Sequence, residues 1–182
     1  LGNGTVGTTV GYTAPAFGPV TVSFTRKSGS AAIGVGAGGN ANSLNIVSVG
    51  YAQGPFKAGI ASLTWNDDNN ATLVDNRLVM TASYDLGVAK VGVYQNTQTY
   101  LSSSTQDLVN TAIQISAPVG PLAVSFESGR VSQSGTTSLG GTSLSVSYAL
   151  SKRTALTAKT ENWDSTASLA YKASSLVLAH SF

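Results

Sequence analysis

Ser174-Ser175-Leu176-Val177-Leu178-Ala179-His180-Ser181-Phe182 alternates residue by residue. In an extended strand Leu176, Leu178, His180 and Phe182 share one side, and Ser175, Val177, Ala179 and Ser181 share the other. A chain end in water usually frays and gains little from an aromatic. A strand whose last aromatic sits at a membrane–water boundary has a place for that ring. The segment therefore predicts a membrane-spanning strand with Phe182 at the interface.

The same alternation runs backward through the whole chain, broken by clusters of Gly, Pro, Asn, Asp and Ser. It predicts eleven strands, at about 4–14, 20–27, 44–52, 56–65, 77–85, 88–96, 109–117, 122–130, 142–150, 154–161 and 174–182. Tight turns fall at 15–19, 53–55, 85–87, 117–121 and 151–153, and longer polar connections at 28–43, 66–76, 97–108, 131–141 and 162–173. Short turns at one rim and long loops at the other describe an all-β, antiparallel, up-and-down transmembrane barrel. A β-sandwich would need Greek-key connections, and a β-solenoid passenger or adhesin would show equal coils.

A repeat supports the meander. Gly18-Pro19-Val20-Thr21-Val22-Ser23-Phe24 returns as Gly120-Pro121-Leu122-Ala123-Val124-Ser125-Phe126, and more weakly as Gly54-Pro55-Phe56-Lys57-Ala58-Gly59-Ile60. Tyr12, Tyr51, Tyr84, Ile115 and Tyr148 precede the tight turns at steps of roughly 31–39 residues, and one more step reaches Phe182. Tyr12, Tyr51, Tyr84, Tyr148 and Phe182 are thus the expected aromatic girdle at one membrane interface.

One side of each strand is apolar, as in Val20, Val22 and Phe24 or Leu144, Val146 and Tyr148. The other is polar or small, as in Thr21, Ser23 and Thr25 or Ser143, Ser145 and Ser147. An apolar exterior in lipid around a wet interior fits this pattern, and in lipid the sheet must close on itself. Charged residues make up only 10% of the 182 and the net charge is +2, so no basic patch points to nucleic acid. Without cysteine there is no disulfide framework and no thiolate metal site. No apolar run is long enough for a transmembrane helix.

The chain resembles a Gram-negative general diffusion porin, of the trimeric kind common in β-proteobacteria. The resemblance rests on Val10-Gly11-Tyr12-Thr13-Ala14-Pro15-Ala16-Phe17-Gly18, Ala82-Ser83-Tyr84-Asp85-Leu86-Gly87-Val88-Ala89-Lys90-Val91, Tyr148-Ala149-Leu150-Ser151-Lys152-Arg153-Thr154 and the terminal Leu178-Ala179-His180-Ser181-Phe182. It implies a sixteen-stranded barrel, of which residues 1–182 would be the C-terminal portion, without the N-terminal strands and the constriction loop. At about 17 residues per strand, sixteen strands need roughly 270 residues or more. The resemblance also implies a homotrimer in the complete protein. It makes Leu176, Leu178, His180 and Phe182 the signal read by the β-barrel assembly machinery. In one respect the chain departs from the family: where arginine is usual before the Tyr-Pro turn it has Gly11, Thr5 and Thr9.

A diffusion pore needs no catalytic group, metal or cofactor; its selectivity follows from its width and its wall charges. Strand parity selects Lys57, Arg77, Asp85, Lys90, Tyr94, Glu127, Lys159 and Glu161 as pore-lining. Four basic against three acidic groups predict a weak anion preference in a channel for small hydrophilic solutes. His180, the single histidine, lacks partners for metal or triad chemistry and is read as structural. Gly34-Val35-Gly36-Ala37-Gly38-Gly39 precedes a strand and no helix, which argues for a loop and against a dinucleotide site. Asn66-Asp67-Asp68-Asn69-Asn70 lacks the calcium-loop spacing and is read as solvated. The barrel exterior is expected to meet outer-membrane lipid, and Arg26 and Lys27, at the loop end of a strand, are candidates for contact with lipopolysaccharide phosphates.

Overall fold

The computed structural model of the chain describes residues 8–28, 43–66, 74–100, 107–134, 138–164 and 171–181. Gly34–Gly39, Asp67–Asn70, Thr5 and Phe182 lie outside the described residues. Within them are eleven strands: β1 Thr8–Thr13, β2 Val20–Ser28, β3 Ser43–Gln53, β4 Phe56–Asn66, β5 Val74–Asp85, β6 Lys90–Tyr100, β7 Leu108–Val119, β8 Leu122–Gln133, β9 Leu139–Ser151, β10 Thr154–Trp163 and β11 Tyr171–His180. They form one sheet in chain order, every neighbouring pair antiparallel. A solenoid of parallel coils is ruled out by this pairing.

Three of the five tight hairpins turn where the Gly-Pro pairs stand. Gly18, Gly54 and Gly120 have φ of 60°, 56° and 59°, and each fills the first place of a two-residue turn ahead of a proline. A positive φ there gives the tight turn whose twist matches paired strands, and only glycine adopts it without strain. In the first such turn Phe17 and Val20 exchange both backbone hydrogen bonds, at 2.9 and 3.1 Å.

The strands outrun the apolar alternation at their loop ends. β5 begins at Val74, β6 runs to Tyr100, β9 begins at Leu139 and β11 at Tyr171. Ladder pairing needs only backbone N–H and C=O, so Thr97, Gln98 and Thr99 pair with Leu78, Arg77 and Asn76 although nothing there alternates in polarity. At the other rim β6 starts at Lys90, two residues later than the alternation predicts. Val88 and Ala89 belong to the turn, in which Leu86 N–H donates to the Ala89 carbonyl at 2.8 Å and Gly87 has φ 83°.

Most strands are 9 to 13 residues long, which covers the roughly 9–11 residues a tilted strand needs to cross a bilayer. The two faces of the sheet differ. Phe24, Val47, Ile60, Val93, Ile113 and Leu176 stand on one face and are exposed, Leu176 at 70%. Registers such as Tyr12↔Phe24, Ala82↔Val93, Val93↔Ile113, Phe126↔Leu144 and Leu156↔Leu178 join this face into a continuous apolar band from β1 to β11. A band of that extent far exceeds the few hundred Å² of apolar patch that a soluble surface tolerates. The opposite face carries the buried Leu44, Trp65, Asn96, Gln98 and Ser143. Crowding on one face and splaying on the other is what curvature around the polar side produces.

The polar face is not polar throughout, contrary to the sequence reading. At its loop end Leu44, Trp65 and Val74 form a buried cluster, with Ile46, Leu63 and Tyr100 packed against it. In β3 and β4 the apolar residues change sides partway along. Val47, Val49, Phe56 and Ile60 lie on the exposed face, whereas Leu44, Ile46, Leu63 and Trp65 lie on the other.

Candidate solute-facing wall

Register settles which side chains share the polar face. Lys57 pairs with Ser83, Asp85 with Lys90, and Tyr94 with Ala112, while Glu127 and Glu161 both flank Ser143. Arg77 and Lys159 have the parity of Ser83 and Glu161. All eight residues singled out from the sequence therefore stand on one face. Lys27 joins them, paired with Leu44 and opposite Thr9, whereas Arg26 pairs with Val10 and Asn45 on the apolar face. Consecutive strand residues point to opposite sides, so the two do not present one shared surface to lipopolysaccharide phosphates, in contrast to what the sequence pattern suggests.

These eight do not form one cluster. Arg77 lies at the loop end, its guanidinium 5.7 Å from the centre of the Trp65 ring. It donates to Gln98 Oε1 at 2.5 Å, and Gln98 Nε2 donates to the Tyr100 hydroxyl at 2.6 Å. Cation–π contact and a charge-assisted bond hold this cation against the wall. The sequence gives no hint of this network, because Trp65, Gln98 and Tyr100 meet Arg77 only through register.

Toward the tight turns the wall becomes a field of hydroxyls. Ser116, Ser125, Ser145 and Lys159 follow one another across β7–β10 from Lys90 of β6. Ser125 and Ser145 share a hydrogen bond of 2.8 Å, and Thr157 donates to Ser147 at 3.0 Å. The Lys159 ammonium sits 2.5 Å from Glu161 Oε1, an ion pair within β10, with the lysine side chain 43% exposed. Asp85 serves its turn: its Oδ1 accepts the Gly87 N–H at 2.8 Å. Glu127 lies at a recess of about 360 Å³ shared with Gly92, Tyr94 and Gln114.

A second device on this face was not legible in the sequence. The indole of Trp163 lies across Gly141 and reaches Gly129 on the next strand over. Two glycines in register leave the sheet bare there, and the ring occupies the gap.

The tyrosines expected to form a girdle stand on the opposite, apolar face. Tyr12 is 63% exposed, Tyr84 and Tyr148 are also exposed, and Tyr51 stacks obliquely on Phe56 with ring centres 5.9 Å apart. On β11, Leu176 and Leu178 are exposed on this same face, and His180 Nδ1 is 2.8 Å from the Thr154 hydroxyl.

The fold has a solved counterpart. An anion-selective porin from Comamonas acidovorans matches with a TM-score of 0.71 and 21% identity, over 85% of this chain and 48% of that chain. The present chain thus spans about half the length of that porin. No curated sequence matches it. A family model described as Gram-negative porin matches residues 2–168. A two-faced antiparallel meander with membrane-length strands is what that family builds, and the chain belongs to the Gram-negative porins.

Proposed function

We propose that the complete protein is a water-filled channel for passive diffusion of small hydrophilic solutes and ions across the outer membrane, with a weak preference for anions. The observation that carries this is the contrast between the two faces: a continuous exposed apolar band backs a wall of serine hydroxyls and scattered charges. In lipid such a sheet leaves no polar edge unpaired only if it closes. Among the described residues β1 and β11 have one neighbour each, and in this reading further strands of the complete protein close the sheet. The 182 residues are then the C-terminal portion of one barrel domain of sixteen strands.

The anion preference follows from wall charge. Lys57, Arg77, Lys90, Lys159 and also Lys27 share the polar face with Asp85, Glu127 and Glu161, five basic groups against three acidic. The matched Comamonas porin is itself anion-selective. The complete protein assembles as a homotrimer in contact with lipopolysaccharide. Its C-terminal strand, through Leu176, Leu178, His180 and Phe182, engages the assembly machinery. Conductance of the full-length protein in a planar bilayer tests the channel: stepwise openings are expected, with a reversal potential in a KCl gradient on the anion side. An absence of any water-filled conductance would overturn the proposal.

A further inference from the structure

On the apolar face, across β5–β8, a groove of about 570 Å³ opens beneath an arginine. Its floor is one register row, Ala82–Val93–Ile113, with Val93 and Ile113 each 51% exposed. The row immediately toward the loops is Gln95–Thr111–Arg130. An amide, a hydroxyl and a guanidinium thus stand side by side directly above a small-floored apolar channel. Arg130 is exposed and makes no ion pair among the described residues. The carboxylate further along its row, Asp164, already accepts the Gly140 N–H at 3.1 Å. By contrast Arg26, the other arginine of this face, already donates to Asn45 and Ser43, at 3.4 and 3.5 Å.

Depth identifies what meets the groove. Arg130 lies eight residues above Leu122, the first residue of β8. That is about 27 Å along the strand and, at a tilt of about 40°, about 21 Å across the membrane. The apolar band of such barrels is about 25 Å tall. The guanidinium therefore reaches the headgroup level on the long-loop side, which is the outer leaflet, and its groove descends from there into hydrocarbon. A planar guanidinium offers paired donors to phosphate oxygens.

We propose that this groove holds one phosphorylated acyl lipid of the outer leaflet, its phosphate on Arg130 and one chain along Ala82, Val93 and Ile113. The proposal rests on lipopolysaccharide being a partner of the protein and names where it binds. The test titrates the full-length porin in detergent with lipid A and with lipid A stripped of its phosphates. Arg130→Ala should weaken lipid A binding about tenfold or more and leave the stripped lipid unchanged. Ile113→Trp, which fills the groove, should weaken both. Lys152→Ala, which removes an exposed cation in the tight turn at the opposite rim, should alter neither, and all three variants should conduct like the wild type in a bilayer. Equal lipid A affinity in Arg130→Ala and wild type, or an equal loss in Lys152→Ala, would overturn the groove while leaving lipopolysaccharide as a partner. A wild type that binds neither lipid would remove both.

Discussion

Trp163 covers Gly141: the indole of β10 lies where any side chain on that residue of β9 would stand. A methyl group at Gly141 would collide with the ring and with the Asn162 carbonyl. We expect Gly141→Ala to destabilise the barrel by about 1–3 kcal/mol, the cost of overpacking. Gly92 is a contrasting site, with only ordinary contacts awaiting a Cβ, and Gly92→Ala should stay within about 0.5 kcal/mol of wild type. Urea unfolding of the refolded full-length protein reads both. Adding Trp163→Ala to Gly141→Ala should recover part of the loss, since the two share one space.

The Lys159–Glu161 pair balances one wall cation against one wall anion. Glu161→Gln should release the lysine charge and move selectivity toward anions. Lys159→Gln should move it toward cations, and the double variant should lie near wild type. Screening and partial exposure keep each change on the order of twofold in permeability ratio. Reversal potentials in a KCl gradient measure it, and equal shifts of one sign from both single variants would contradict the pairing.

Asp85 was selected from the sequence for its charge, but its geometry is that of a turn residue. Asp85→Ala should cost about 1 kcal/mol through the lost bond to Gly87 N–H. Asp85→Asn, which retains an acceptor oxygen, should cost less. If the turn is its main role, the two variants will separate in unfolding midpoint and both will keep the ion selectivity of the wild type.

The Arg77–Gln98–Tyr100 chain sits where the wall is half-buried or buried. Gln98→Leu should destabilise by about 1–3 kcal/mol, because it strips a partner from a guanidinium held against Trp65. Arg77→Met, which keeps bulk, should bring a comparable loss, and the pair of substitutions should be clearly less than additive. Independent effects in the double variant would show that the two side chains do not share a network.

Most of the architecture was legible because a strand writes its two faces as alternate letters. β2, with Val20, Val22 and Phe24 against Thr21, Ser23 and Thr25, is unambiguous. The three Gly-Pro turns were equally readable, since that pair specifies its own geometry, whereas the turn after Asp85 takes in Val88 and Ala89, which the alternation assigns to a strand. What alternation could not show was partnership. Nothing in the letters around Trp163 announces Gly141 22 residues earlier, or around Arg77 announces Trp65 and Gln98. Those neighbours follow from register, which a single sequence does not print. The loop ends were missed for a related reason: Thr97-Gln98-Thr99 has no polarity rhythm, yet its backbone pairs as well as any other.

The change of sides in β3 and β4 bears on how the sheet finds its register. Sliding β4 by one residue against β3 would turn Ile60 and Phe56 inward, and in the same step turn Leu63 and Trp65 outward. An ordinary amphipathic strand penalises such a slip once. Here each half of the strand reports the error separately, one in hydrocarbon and one at the upper wall, so the hairpin carries its own proofreading. The level at which the apolar residues cross over also marks a waterline, fixing how deep this hairpin floats.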